Sequence, residues 1–194
     1  MREVHEEVPM RLTGYCLETS HFHLLLWPNE DGDLSRWMLW LMTSHVRRYH
    51  RHSKRSGHVW QGRFKAFPVQ SAEHSLSVLR YVERNPLRAN MVQRSQDWEW
   101  SSLKPTARSG LDGLLCDGPI LIPAHWTRHV NGAETETERS FDTVSLLENF
   151  LAKLWKKLLK RSGESAGRSQ LLFGFRYDRL TQEFPPAFQL AANG

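Results

Sequence analysis

The sequence predicts an α+β domain, an antiparallel sheet carrying amphipathic helices. Two apolar segments, Arg11 to Leu17 and His21 to Trp27, flank the polar turn Glu18-Thr19-Ser20, which is the pattern of a strand pair. Beyond them the apolar residues change from strand-like to helical spacing, and a further strand-like run lies between two helical stretches.

The loop at 28–32 leads to Asp33, which is placed to cap a helix running to about residue 52. Leu34, Trp37, Met38, Leu41, Met42 and Val46 recur there at helical spacing. Residues 64–69 read as a third strand, with Pro68 demanding a sheet edge or a strand end. Ser71 caps a second helix expected to stop at Asn85, because Pro86 cannot continue it; Pro86 then opens a short helix through Val92. From 102 to 131 proline, glycine and scattered apolar residues read as loop laid over the core, and 133–139 as an acidic linker. Residues 144–161 form the strongest amphipathic pattern, with Leu147, Phe150, Leu151, Leu154, Trp155 and Leu158 in one stripe. No element is evident after Gly163. The expected organisation is a catalytic domain over 1–104, loop and linker over 105–143, the helix 144–161, and a poorly ordered tail over 162–194.

The chain has 194 residues, 40% hydrophobic and 24% charged, enough to bury a core. Its net charge of +5 leans towards a polyanionic partner wherever the charge is clustered. Cys16 and Cys116 have no motif spacing and point to a reducing, cytoplasmic setting rather than a disulfide framework. Glu3, Glu6 and Glu7 without an apolar run argue against a secretory signal, and no stretch is long and apolar enough for a membrane span.

Chemistry concentrates in two places. In a strand, His21 and His23 point to one face while Phe22 points to the other, so two imidazoles are placed to grip one cation. On its own, H-x-H also describes two ordinary histidines on a solvated strand. On a helical wheel Leu76, Leu79 and Val82 mark the core face of 71–85, whereas Tyr81 and Asn85 share a stripe away from it. A tyrosine set apart from the leucines, beside an amide and two imidazoles, suits phosphoryl transfer to a phenol. The imidazoles and the amide oxygen can hold a divalent ion, Mg2+ or Mn2+, that neutralises a scissile phosphate. No phosphate-binding glycine loop is present, and exchanging one phosphodiester for another needs no nucleotide cofactor.

Between Arg47 and Lys65 stand seven basic residues (Arg47, Arg48, Arg51, Lys54, Arg55, Arg63, Lys65) and no acid, interleaved with Tyr49, Trp60 and Phe64. Cations that track phosphates and aromatic rings that receive unstacked bases have this composition. A solvated helix end followed by a basic loop is the plainer reading of such a run.

His21-Phe22-His23, the stretch Trp60-Gln61 to Arg63-Phe64, and Tyr81-Val82-Glu83-Arg84-Asn85-Pro86-Leu87-Arg88-Ala89-Asn90 together resemble the REP-associated tyrosine transposases, a branch of the HUH-type single-strand DNA transposases of insertion sequences. The resemblance runs from about Met10 to Leu103. It implies a ferredoxin-like sheet with helices on one face. It also implies metal-dependent cleavage and rejoining of single-stranded DNA near hairpins through a covalent 5′-phosphotyrosine, by a monomer or homodimer. Carried over by position, Tyr81 is the nucleophile, and His21, His23 and Asn85 are the metal ligands. Family members carry a further strand and helix ahead of the Tyr15 strand, the extra strand lying inside the sheet. This chain has fourteen residues there, so it reads as truncated and its sheet is expected to expose an unpaired edge. Glu18-Thr19-Ser20 replaces the usual Met-Pro-Asn turn and sets an extra carboxylate beside the site. The competing readings are a remnant that binds hairpin DNA without cutting it, and a chain whose 144–161 helix docks on a membrane surface or a protein groove.

Overall fold

The computed structural model describes residues 1–54, 56–60, 64–69, 72–105, 107, 115–118 and 121–133, together with the backbone of 170–176. The elements follow as α1 (Arg2–Glu7), β1 (Arg11–Leu17), β2 (His21–Trp27), α2 (Asp33–Ser53), β3 (Lys65–Val69), α3 (Ala72–Arg88), a 3-10 turn (Ser95–Asp97), α4 (Trp126–Asn131) and β4 (Gln170–Arg176). The α+β class is as expected. The linker at 134–139, the helix at 144–161 and the Ser71 cap lie outside the described residues.

β1 and β2 occupy the predicted spans because alternation along them has a physical use. Phe22, Leu24 and Leu26 join Val4, Val8, Met10, Leu12, Trp37 and Met38 in one buried cluster beneath α1 and α2. Leu25 and Cys16 join Val69, Val78, Leu79, Val82, Trp126 and Val130 in a second cluster beneath α3 and α4. The sheet is therefore covered on both faces, not on one. On the α3 side the helix comes so close to β1 that a Cβ at Gly14, beside an irregularity in the strand ladder, would overlap Leu79 Cδ1.

All four strands run antiparallel in the order β1-β2-β4-β3. β4, from a region expected to hold no element, pairs with β2 from His21↔Arg176 to Leu26↔Leu171 and with β3 from Lys65↔Gly174 to Val69↔Gln170. The interior place that the family resemblance gives to a strand ahead of β1 is held here by a strand from the other end of the chain. β3 is left at an edge, where its Pro68 is tolerated. The expected bare edge at β1 is partly covered. Leu17 N donates to Trp100 O at 2.8 Å, and Ser102 N donates to Tyr15 O at 2.9 Å.

Three further expectations are corrected. Gly32, in a left-handed conformation at φ 90°, is the cap residue of α2. Asp33 instead turns its carboxylate back to accept from Glu30 N at 2.9 Å. Pro86 does not end α3, which continues to Arg88. The missing N–H falls within the last turn, so it removes only the bond to Val82, and Met91 N still closes on Pro86 O at 2.9 Å. Asn90, at φ 53°, is the residue that turns the chain out of the helix. Finally, 102–131 is not all loop, since it contains α4.

His45 on α2 sits against the Trp60 ring at 4.7 Å between centroids, and burial pushes its imidazole down to about 4 from 6.5. The folded chain holds this ring neutral while the unfolded chain protonates it. Its contribution is therefore complete above about pH 6.5 and is lost as pH falls towards 4, at a cost of up to about 3 kcal/mol. Urea denaturation of His45→Phe at pH 7 and pH 4.5 is expected to show a smaller acid loss than the unsubstituted chain.

Candidate active site

The site begins with a tight hairpin. Leu17 pairs with Phe22 and Cys16 with His23, so Thr19 and Ser20 alone form the loop and Glu18 stands opposite His21. Glu18 N donates to His21 O at 2.8 Å. The pleat then places Glu18, His21 and His23 on the face that α3 covers. The two imidazole rings stand 5.0 Å apart, edge to face, and Glu18 Oε2 lies 3.3 Å from His21 Nε2. Ser20 Oγ lies 3.2 Å from His21 Nδ1 and fixes the ring orientation. One potential ligand atom from each of Glu18, His21 and His23 falls within 4.8 Å of the other two. Burial pushes the Glu18 carboxyl up to about 7 from 4.5, against the opposing pull of Arg88.

α3 brings Tyr81 to this set. Its ring centroid is 5.6 Å from that of His23, and the Arg88 guanidinium lies over the same ring at 4.9 Å. Asn85 is buried one turn on, and its Nδ2 donates to Tyr81 O at 3.4 Å, so Oδ1 is the atom it has for a cation. The helix is pinned by polar groups. Glu83, 1% exposed, accepts from Ser102 Oγ and from Trp126 Nε1, each at 2.6 Å. Arg80 donates to the carbonyls of His129, Gly132 and Ala133, and Arg84 donates to those of Val130 and Gly132. These charge-assisted bonds tie α3 to the end of α4 and hold Tyr81 at the histidine strand. Arg88 was not evident from sequence as part of the site, although its seven-residue spacing from Tyr81 puts both on one helical side.

The basic stretch is dispersed. Arg47, Arg48, Arg51 and Lys54 are exposed at the end of α2, while Arg55 and Arg63 lie outside the described residues. The stretch does meet an acid, because Glu3 of α1 pairs with Arg48. Trp60 is half-buried against the core, its ring 5.6 Å from Phe22, and its Nε1 donates to Met42 O at 3.4 Å. Lys65 is exposed at the start of β3, and the register sets Cys16, His23, Gly174 and Lys65 in one cross-strand row. Direct partners share a face of the sheet, so Lys65 lies on the histidine side, about 10 Å from His23 at two strand spacings.

Residues 1–85 match the IS200-like transposase family. The matched segment contains His21, His23, Tyr81 and Asn85. The chain is also 25% identical over 107 residues to a Haemophilus influenzae protein named for the REP-associated tyrosine transposases. That alignment covers 50% of the chain and 61% of the relative, so the chain spans about three fifths of the relative's length. No solved structure matches. Among the described residues, no helix is long and apolar enough to cross a membrane.

The donors of the transposase-like segment fit a divalent cation. Two imidazoles and a carboxylate converge, and one oxygen of that carboxylate, Glu18 Oε1, is buried with no hydrogen-bond partner among the described residues.

Proposed function

We propose that this chain cuts and rejoins single-stranded DNA near hairpins, with Tyr81 as the nucleophile and His21, His23 and Asn85 holding a divalent cation, Mg2+ or Mn2+. The observation that carries this reading is the 5.6 Å approach of the Tyr81 ring to His23, itself 5.0 Å from His21. A phenol next to paired imidazoles has no packing rationale that a leucine would not serve better.

The chemistry is a transesterification. The Tyr81 oxygen forms a bond to phosphorus as the bond from phosphorus to the 3′ oxygen breaks. The phenol gives up its proton, and the departing 3′ oxygen takes one up. The product is a 5′-phosphotyrosine and a free 3′ hydroxyl, and the reverse reaction rejoins a strand. When bound, the cation neutralises charge on the scissile phosphate. Tyr81 is oriented by the stacked Arg88, by the pinned helix beneath it, and by its edge contact with His23. Lys65 on the histidine row, with Arg47 and Arg51 on α2 and Lys54 just past its end, supplies cations for neighbouring phosphates.

This reading predicts a salt signature. Affinity for a fluorescent hairpin with a single-stranded flank should fall as salt rises, with a logarithmic slope set by the number of phosphates engaged. The double variant Arg47→Ala/Arg51→Ala should lower that slope by about 1.4, two contacts at about 0.7 each on single strands. An unchanged slope removes α2 from the DNA path. The covalent step has its own test, an SDS-resistant adduct with the same hairpin in Mn2+.

A further inference from the structure

We propose that Glu18 is itself a ligand of the cation, so that one carboxylate and two imidazoles hold it together, with Asn85 completing the set. This rests on reading His21 and His23 as metal ligands and adds a residue to which neither the motif nor the resemblance gives a role.

Three observations carry it. The first is position: the two-residue loop makes Glu18 the cross-strand neighbour of His21, on the face that also carries His23. The second is distance. Two ligands bound to one ion at about 2.0–2.2 Å stand about 2.8–3.6 Å apart for octahedral to tetrahedral angles. Glu18 Oε2 and His21 Nε2 are separated by 3.3 Å. The third is the unsatisfied oxygen. The Glu18 side chain is 4% exposed, and its Oε1 has no hydrogen-bond partner among the described residues. A buried carboxylate normally gathers donors around both oxygens, and one left short is costly unless a cation takes their place. Serving only the hairpin, this position would do better with an apolar residue. Adding a carboxylate to two imidazoles also moves the site towards oxygen-preferring ions such as Mn2+.

The test uses the full chain with Mn2+ as the probe and reads calorimetric binding and thermal melting. Without metal, Glu18→Gln should melt higher than the unsubstituted chain, because a neutral amide replaces a buried, half-partnered carboxylate. With saturating Mn2+ the order should reverse, and the Kd of Glu18→Gln should rise by at least about 10-fold. Glu18→Leu, which removes both oxygens, should show the same reversal and guards against a folding defect peculiar to glutamine. His23→Ala separates the two levels of the claim. If His23→Ala loses Mn2+ while both Glu18 variants bind as the unsubstituted chain does, Glu18 is not a ligand and the histidine site stands. If His23→Ala also binds Mn2+ unchanged, both the histidine site and the role of Glu18 are overturned. Glu18 variants that melt lower with and without metal would likewise overturn the proposal, by showing a purely structural carboxylate.

Discussion

Tyr81→Phe is expected to bind hairpin DNA like the unsubstituted chain and to form no covalent adduct with it. The substitution removes a single oxygen. The ring contacts with His23 and with the Arg88 guanidinium depend on the aromatic face and edge, which phenylalanine retains. Melting should therefore change little, and the phosphate contacts proposed for Lys65 and the α2 arginines should be untouched. On this reading the adduct uses the Tyr81 phenolic oxygen as the new ester atom, which phenylalanine lacks. Loss of a nucleophile from a positioned set is on the order of 10^3-fold or more in rate. Gel electrophoresis in SDS after incubation with Mn2+ and a labelled hairpin reads the result directly. Equal adduct from Tyr81→Phe would mean that another residue attacks. Intact binding with no adduct from either protein would favour a non-cutting remnant.

The second large effect concerns β4. Leu172→Pro is expected to abolish the cooperative melt or to lower stability by about 3 kcal/mol or more. Leu172 lies between Leu25 of β2 and Phe67 of β3, so a proline there deletes a ladder bond inside the sheet and forces a kink between two neighbours. Domains carry only about 5–15 kcal/mol of net stability, so the loss is a large fraction of the total. The effect should reach the site as well, since His21 and His23 pair with Arg176 and Gly174 on the same strand. Gln170→Pro, at the first residue of the strand, should be tolerated far better. Thermal circular dichroism of the two variants checks the contrast. Matching melts for Leu172→Pro and the unsubstituted chain would show that β4 is dispensable to the sheet.

The strand pair and the two long helices were legible because each has a half-buried face, and burial writes its period into the sequence. β1 and β2 match their predicted spans for that reason. β4 was not legible, since Gln170–Arg176 is a short apolar run whose partners lie about a hundred or more residues away in sequence, with no local turn to announce them. The continuation of α3 past Pro86 was hidden by a rule that holds for helix interiors and weakens in a final turn. Within the site, the strand period alone put His21 and His23 on one face. The approach of Tyr81 to His23, by contrast, depends on α3 being pinned by Glu83, Arg80 and Arg84 to residues in 102–133, contacts that no spacing encodes. Glu18 was visible as an extra carboxylate, but its burial and orphaned oxygen appear only once the hairpin is closed by α3.

The central claim is that the phenolic oxygen of one tyrosine, brought to a histidine pair by a helix from elsewhere in the chain, takes the DNA phosphate. The chain has four tyrosines, so the claim can be read at a single residue. After reaction with hairpin DNA and Mn2+, nuclease trimming and trypsin, mass spectrometry should find the nucleotide phosphate on the peptide Tyr81–Arg84. A nucleotide on Tyr15, Tyr49 or Tyr177 instead, or on none of the four, would contradict it.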